Sequence, residues 1–316
     1  MMKTKIFIDG SEGTTGLRIF ERFEGREDIE LLKIPSELRK DPEEVKKYIN
    51  ASDITFLCLP DAAAREAVTL IENDHVRIID TSTAHRTEKG WAYGYPELSK
   101  AHRDAIKHGK RVAVPGCHAT GFITTVYPLV KGGIVPADYP VASFSLTGYS
   151  GGGKKMIAEY EGEDRLVELD APREYALGQS HKHLREMKKI TGLQREPLFS
   201  PIVADYYSGM VVSVPFYTEL LQGKQTPESI QKYFEEYYAG EKFIKVMPLG
   251  KEADYRGFLS GNGCSGWDGM EIYVTGNEER ILVSARFDNL GKGASGAAIQ
   301  CLNIMLGCEE DKGLNL

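Results

Sequence analysis

Short apolar runs alternate with amphipathic stretches along the first third of the chain. The apolar runs predict strands; they are KIFID (5–9), ELLKI (30–34), ITFLCL (54–59), VRIID (76–80) and RVAVP (111–115). Between them, LRIFERF, PEEVKKYI and DAAAREAVTLI have the spacing of helices. ITFLCL is apolar throughout, as expected of a strand covered on both faces. This alternation predicts βαβ units and a Rossmann-like parallel sheet.

The middle of the chain has a different pattern. Its strand-like runs are separated by longer polar connections; they are PVASFSLTG, GMVVSVPFYTEL, MEIYVTG and RILVSARFD. This pattern predicts an α+β domain with a mixed or antiparallel sheet. The closing stretch LGKGASGAAIQCLNIML predicts a helix that returns to the first domain. We therefore expect an α/β protein with one domain formed by residues 1–116 and 290–316, and a second formed by residues 117–289.

Composition narrows the function classes. The chain has 316 residues, of which 41% are hydrophobic and 27% charged, as expected of two globular domains. The net charge of −7 argues against nucleic-acid or membrane partners. The chain lacks a long apolar run and a signal-peptide pattern, which predicts a cytoplasmic protein. Its five cysteines contain no CxxC pair, so we expect neither a zinc site nor a disulfide framework.

A glycine loop, DGSEGTTG (9–16), links the first predicted strand to the first predicted helix. Its glycines do not follow the GxGxxG spacing. A glycine turn between a strand and a helix nevertheless lets the backbone approach a pyrophosphate, whose charge the helix N-terminus favours. This context predicts a dinucleotide site formed by Gly10, Ser11, Gly13, Thr14, Thr15 and Gly16.

The end of the second predicted strand bears on the cofactor. NAD enzymes usually carry an acidic residue there to hold the ribose hydroxyls. The segment LLKIPSELRKD offers Ser36, Arg39 and Lys40 instead. A hydroxyl and two cations suit a 2′-phosphate, which predicts NADP rather than NAD, although a solvated basic turn would have the same composition.

The segment DTSTAHR (80–86) follows the fourth predicted strand, at the edge where open α/β sheets bind ligands. It includes Ser82 and Arg86. The planar guanidinium of Arg86 could hold a carboxylate or a phosphate through two hydrogen bonds. A surface arginine is the alternative interpretation.

The segment VAVPGCHATG (112–121) places Cys117 between a Pro-Gly turn and a predicted helix. Helix N-terminal amides favour the thiolate, so we predict that Cys117 is a nucleophile. The segment GQSHKHLREM supplies His181 and His183 as proton-transfer candidates, and Glu186 shares a helical face with His183. His118 is a further candidate, although we interpret it as a position that accepts an aromatic ring. The sequence leaves open which histidine moves the proton.

Together these motifs resemble the N-acetyl-γ-glutamyl-phosphate reductase family, in particular its shorter branch, over nearly the whole chain. The segments that carry the resemblance are DTSTAHR, YGYPEL, PGCHATGF, GYSGGGKKMI, HKHLREM and NLGKGASGAAIQ. The chain departs from the family pattern at Val114 and His118, where Asn and Tyr are common.

The resemblance implies the chemistry. Cys117 would attack an acyl phosphate, expel phosphate and form a thioester, which NADPH would reduce to the semialdehyde in arginine biosynthesis. His181 or His183 would move the proton at the developing oxygen. The resemblance also implies a homodimer or homotetramer.

The resemblance assigns further site residues. The residues expected to contact substrate are Ser82, Arg86, Lys154 and Glu186. Those expected to approach the cofactor, besides the glycine loop and the Ser36–Arg39 turn, are Ser150, Gly151, Asn289, Lys292 and Gly293.

Three alternatives stay open. An aspartate-semialdehyde dehydrogenase would keep the cysteine and the glycine loop, but DTSTAHR and HKHLREM argue against it. A reductase of acyl phosphates carried on a protein would need a basic docking surface, and the pI near 5.6 disfavours it. A binding protein that senses NADP without catalysis would need neither a thiol at a helix start nor a histidine pair.

Overall fold

A computed structural model describes residues 3–316, which form thirteen strands and nine α-helices. The strands are β1 (Thr4–Asp9), β2 (Ile29–Leu32), β3 (Ile54–Leu57), β4 (Arg77–Asp80), β5 (Ala92–Tyr93), β6 (Arg111–Ala113), β7 (Ala142–Gly148), β8 (Arg173–Glu174), β9 (Leu198–Ala204), β10 (Met210–Tyr217), β11 (Ile244–Val246), β12 (Met270–Gly276) and β13 (Arg280–Phe287). The helices are α1 (Thr14–Glu21), α2 (Pro42–Ala51), α3 (Asp61–Thr69), α4 (Lys100–His108), α5 (Cys117–Lys131), α6 (Gly153–Glu161), α7 (His183–Thr191), α8 (Pro227–Tyr237) and α9 (Gly296–Leu306).

The chain divides into two compact units. Unit 1 comprises the described residues through Pro115 together with Ala294–Leu314, and unit 2 comprises Gly116–Gly293 with Asn315–Leu316. A π-helical turn, Gly291–Ser295, precedes α9. Between residues 3 and 316, no helix is both long enough and apolar enough to cross a bilayer.

Unit 1 is built on a parallel six-stranded sheet in the order β2-β1-β3-β4-β6-β5. Alternate residues of β1 point to opposite faces: Ile6 and Ile8 pack with α1, α4 and α9, whereas Phe7 packs with α2 and α3. Helix α9 is buried almost all round; most of its residues are apolar, and the buried Gln300 and Asn303 side chains are hydrogen-bonded. Both faces of the sheet are thus covered, as the apolar strand pattern predicts.

Unit 2 contains a mixed seven-stranded sheet in the order β11-β12-β13-β10-β7-β9-β8. Two strand pairs, β11/β12 and β7/β9, are parallel and the remaining neighbours are antiparallel. Helix α5 lies on one side, here called the inner face, against β10 and β13. The helix approaches closely because Gly121 has no side chain: a Cβ there would lie 2.5 Å from the Val212 side chain. The predicted fold class, a parallel-sheet domain with a second mixed-sheet domain, is confirmed.

Candidate active site

Cys117 is the first residue of α5 in unit 2. Gly116 precedes it in extended conformation and provides no side-chain cap, so the first-turn amides of α5 can face an incoming negative charge. A Cβ on Gly293 would lie 3.0 Å from the Cys117 Cβ. Gly293 is therefore packed against the cysteine, and a side chain at this position would crowd Cys117.

The residues on both sides of Cys117 contact the segment 181–186. The Gly116 amide donates a hydrogen bond to Glu186 Oε1 at 3.0 Å, and Glu186 is 2% exposed. On the other side, the ring of His118 lies with its centroid 5.7 Å from that of His181 and 5.6 Å from that of His183. The nucleophile candidate and the histidine pair, far apart in the sequence, thus belong to one site in unit 2. Sequence reasoning did not predict the contact between Glu186 and Gly116.

The two histidines of the pair differ in their surroundings. His183 opens α7 and is buried, whereas His181 precedes the helix and is half-buried. The His183 backbone amide donates a hydrogen bond to Nδ1 of His181 at 3.2 Å. Because Nδ1 accepts this bond, a neutral His181 carries its proton on Nε2.

His118 is buried and uses both ring nitrogens. Nδ1 lies 2.6 Å from Ser145 Oγ on β7, and Nε2 lies 2.6 Å from the Tyr175 hydroxyl, which follows β8. Burial, with smaller contributions from the positive charges of His181 and Lys182, lowers the pKa of His118 to about 3. Burial, followed by the negative charge of Cys117, raises the pKa of Tyr175.

The low pKa of His118 predicts a loss of stability in acid. In the unfolded chain this imidazole has a pKa near its usual 6.5, so between pH 6.5 and 3 the unfolded state binds more protons. The free energy of unfolding should therefore be undiminished above pH 6.5 and fall by about 1–2 kcal/mol between pH 6.5 and 5. Urea unfolding of the wild type and of His118→Gln checks this. Equal pH slopes in the two proteins would contradict it.

The turn after β13 brings three of the predicted cofactor residues together in unit 2. Asn289 Oδ1 accepts a hydrogen bond from the Gly209 amide at 2.7 Å, and its Nδ2 donates to Ser150 Oγ at 3.1 Å. A Cβ on Gly151 would lie 3.2 Å from the same Nδ2. Lys292 is buried, and its ammonium lies 5.0 Å from the centre of the Phe243 ring. These contacts attach the turn to the segments that carry Ser150 and Gly209.

Lys154, predicted to contact substrate, lies in the first turn of α6. Its side chain is exposed. The described contacts of unit 2 do not orient this side chain toward Cys117, so its contact with substrate stays a prediction.

The glycine loop of unit 1 fits a dinucleotide. Gly10 has φ +83°, and a side chain there would collide with the backbone oxygen of Cys58. A side chain on Gly16 would collide with the Gly10 carbonyl. Gly13 is the N-cap of α1 and supplies no side-chain hydrogen bond, while Thr14 and Thr15 begin the helix. The bare helix start and the cleared backbone suit a pyrophosphate.

The turn expected to bind the 2′-phosphate is exposed. Ser36 and Arg39 both lie on the surface of unit 1 after β2. Arg39 forms an ion pair with Glu12 of the glycine loop. The ion pair joins the two parts of the predicted cofactor site, a contact that the sequence does not reveal.

Arg86 is held by backbone carbonyls of unit 1, and Ser82 is held by the side chain of Asp80. Arg86 Nε donates to the Val114 carbonyl at 2.8 Å, and one terminal nitrogen donates to the Thr81 carbonyl at 3.0 Å. Ser82 Oγ donates to Asp80 Oδ2 at 2.8 Å. The guanidinium therefore braces the loop after β4 against the segment after β6, in addition to its predicted contact with substrate.

Comparison with known proteins decides the family. Residues 5–108 match the family described as semialdehyde dehydrogenase, NAD binding domain, and residues 117–289 match semialdehyde dehydrogenase, dimerisation domain. An N-acetyl-γ-glutamyl-phosphate reductase of Nostoc sp. is 44% identical over 99% of this chain and 100% of its own length. The chain belongs to the N-acetyl-γ-glutamyl-phosphate reductase family. The corresponding protein of Pseudomonas putida is 43% identical over 98% of both chains, and that of Chelativorans sp. is 46% identical over 96% of this chain and 99% of its own.

Solved structures agree on the fold. Aspartate semialdehyde dehydrogenase from Francisella tularensis superposes with a TM-score of 0.72 at 16% identity, covering 97% of this chain and 100% of that one. The Candida albicans enzyme, solved with NADP, has a TM-score of 0.64 at 16% identity, covering 96% and 98%. These matches confirm three predictions from the sequence, namely the family, the oxidoreductase activity and the nicotinamide cofactor. The matched dimerisation domain supports an oligomer.

Proposed function

We propose that the chain reduces N-acetyl-γ-glutamyl phosphate with NADPH to N-acetylglutamate semialdehyde and phosphate, as a step of arginine biosynthesis. The observation that carries the proposal is the position of Cys117 at an uncapped helix start, with both of its neighbours in contact with the segment that holds His181 and Glu186. A thiol beside helix amides and an acid–base imidazole is the arrangement that acyl transfer through a thioester requires.

The residues of unit 2 account for the acyl transfer. The Cys117 thiolate attacks the acyl carbon, the tetrahedral oxygen is stabilised by first-turn amides of α5, and the acyl–phosphate bond breaks to release phosphate. The Gly116 amide is already bonded to Glu186, so the amides that serve the oxygen come from Cys117 onward. When bound, NADPH supplies the hydride that reduces the thioester.

His181 is our choice for the proton transfer, because its Nε2 carries the proton in the neutral ring. Its Nε2–H group donates a hydrogen bond to the oxygen that becomes negative as the thioester is reduced to the thiohemiacetal on Cys117. The proton moves along this bond toward the oxygen and returns to Nε2 as the carbon–sulfur bond breaks, so that the ring stays neutral, the Cys117 thiolate leaves and the aldehyde forms. The His183 backbone amide holds His181. The His183 side chain becomes the candidate for the proton transfer only if the His181 variant stays active.

The reverse assay tests the substrate. Enzyme, NADP⁺, phosphate and N-acetylglutamate semialdehyde are mixed, formation of NADPH is followed by absorbance, and aspartate semialdehyde is run in parallel. We expect phosphate-dependent turnover with the first aldehyde. Turnover with aspartate semialdehyde alone would overturn the proposed substrate, and NADP⁺ binding without any turnover would favour the NADP-sensing alternative.

Arg39 is proposed to select NADP. A charge-assisted hydrogen bond to the 2′-phosphate is worth about 1.5–3 kcal/mol, and the competing ion pair with Glu12 reduces the gain. We expect Arg39→Ala to raise the KM for NADP⁺ about 10-fold, with the KM for NAD⁺ changed less than about 2-fold. Glu12→Gln is the matched control and should lower the KM for NADP⁺ or leave it unchanged. Equal effects of Arg39→Ala on both cofactors would contradict the assignment.

We also propose that two copies pair through the outer face of the unit 2 sheet, opposite α5. Phe144 and Leu198 are exposed there, 49% and 67%, and the strand register sets Leu146 beside Ile202. Apolar residues on one sheet face support burial in a dimer. We expect sedimentation to give a dimer for the wild type and a folded monomer for Phe144→Asp; a tetramer that Phe144→Asp leaves intact would contradict this arrangement.

The proposed compartment is the cytoplasm. All five cysteines lie within the described residues and carry thiols rather than disulfides, which supports a reducing compartment.

A further inference from the structure

His181 is enclosed by aromatic rings. Four ring centroids lie within about 6 Å of its own: those of His183 at 4.6 Å, Phe199 at 5.2 Å, His118 at 5.7 Å and Tyr175 at 6.1 Å. The His183 and His118 rings approach nearly perpendicular, at 73° and 84°. Packing of this kind leaves an imidazole few orientations.

Two of these rings are tied to each other and to the sheet. His118 joins the Tyr175 hydroxyl to Ser145 Oγ through bonds of 2.6 Å, and Ser145 is fully buried on β7. His118 itself is 3% exposed. Tyr175 lies in the loop between β8 and His181, so its bond to His118 fixes a point of the loop that carries the acid–base residue.

We propose that His118 is a positioning residue: it holds the Tyr175 hydroxyl and the wall beside His181, so that His181 keeps Nδ1 on the His183 amide and the exchangeable proton on Nε2. This inference rests on the proposed function, because it concerns the orientation of the histidine that moves the proton there. His118 does not touch the reacting atoms in this account.

The charge state of His118 supports this role. Burial keeps its imidazole neutral at physiological pH, since its pKa is lowered to about 3. The titratable groups that affect the pKa of His118 are His181 and Lys182, and the negative charge of Cys117 contributes to the raised pKa of Tyr175, which is bonded to His118. A charged ring at position 118 would have no acceptor nitrogen and would place a buried positive charge beside His181. A neutral ring with two hydrogen-bonded nitrogens orients His181 without that charge.

Two amide substitutions separate the two ends of His118. The Asn amide reaches the position of Nδ1, so His118→Asn keeps a partner for Ser145 and loses the bond to Tyr175. The longer Gln amide reaches the position of Nε2, so His118→Gln keeps a partner for Tyr175. We expect His118→Asn to lower kcat about 10–30-fold with KM changed less than about 2-fold, and His118→Gln to lower kcat by a smaller factor, about 3-fold.

A double-mutant cycle tests the link through Tyr175. We expect Tyr175→Phe and His118→Asn to have similar effects on kcat, and the double variant to be no slower than either, because both remove one bond. Tyr238→Phe is the matched control: it also loses a buried tyrosine hydroxyl bond to α5, at the Thr124 carbonyl, and should keep wild-type kcat. Additive losses, or equal losses in His118→Asn and His118→Gln, would overturn the inference.

A second readout does not depend on the substrate. The ¹⁵N shifts of the His181 ring report which nitrogen carries the proton. We expect the Nε2–H tautomer in the wild type and a mixture of tautomers in His118→Asn. An unchanged tautomer in His118→Asn would overturn the inference even if the chain turned over no semialdehyde, whereas absent turnover with the expected tautomer shift would overturn the proposed function alone.

Discussion

Cys117→Ser is expected to lower kcat of the phosphate-dependent reverse reaction by at least about four orders of magnitude. A serine hydroxyl is far less nucleophilic than a thiolate near neutral pH, because the helix amides that favour the thiolate do not ionise a hydroxyl. Serine is nearly the size of cysteine and suits a helix start, so the fold should persist. Stopped-flow absorbance of NADPH measures the loss, including any first turnover.

Cys308→Ser is the control for this substitution. Cys308 is also half-exposed, it follows α9 in unit 1, and its thiol lies 4.0 Å from Asp28 Oδ2. Wild-type kcat in Cys308→Ser, with loss only in Cys117→Ser, assigns the reaction to one thiol. If Cys117→Ser retained more than about a hundredth of the wild-type kcat, the thioester route would be wrong.

The second large effect is expected at His181. Removal of a general acid–base group usually lowers the rate by about 10²–10⁴-fold, and we expect His181→Asn to fall in this range. The Asn side-chain oxygen can still accept the bond from the His183 amide, so the start of α7 should stay in place. The kcat of the variant in the phosphate-dependent reverse assay measures the loss.

Added imidazole tests the role of His181 more strictly. A small base in solution can replace a deleted imidazole, so we expect partial recovery of kcat in His181→Asn and none in Cys117→Ser. His108→Asn, on the exposed surface of α4, is the matched control and should keep wild-type kcat. A His181→Asn enzyme that kept its rate, beside an inactive His183→Asn, would move the proton transfer to His183.

The sequence predicts the parts of this site that are formed by residues next to one another in the chain. A Pro-Gly turn before an apolar stretch places Cys117 at a helix start, and the structure has it as the first residue of α5. The glycine loop is predictable for the same reason, because Gly10 needs positive φ where a strand turns into a helix. Both features arise within a few residues of chain, which is the range over which sequence patterns act.

The rest of the site depends on contacts that the sequence does not encode locally. His118 contacts Ser145 on β7 and Tyr175 in the loop after β8, which lie 27 and 57 residues away along the chain. Gln179 is another such residue: its side-chain amide pairs with the backbone of Phe199 through bonds of 2.8 and 2.9 Å, and it adopts φ +52°. The sequence signal for Gln179 is weak: a polar residue two positions before His181 in GQSHKHLREM.

If Cys117 carries the acyl group, the thioester can be trapped on it. Enzyme, NADP⁺ and N-acetylglutamate semialdehyde are mixed without phosphate; oxidation of the thiohemiacetal then gives one NADPH and leaves the acyl group on sulfur. Mass spectrometry of the quenched and digested protein should show one N-acetylglutamyl group on the peptide that contains Cys117, and added phosphate should remove it. Turnover with phosphate but no acyl group on Cys117, or the acyl group on another residue, would contradict the account.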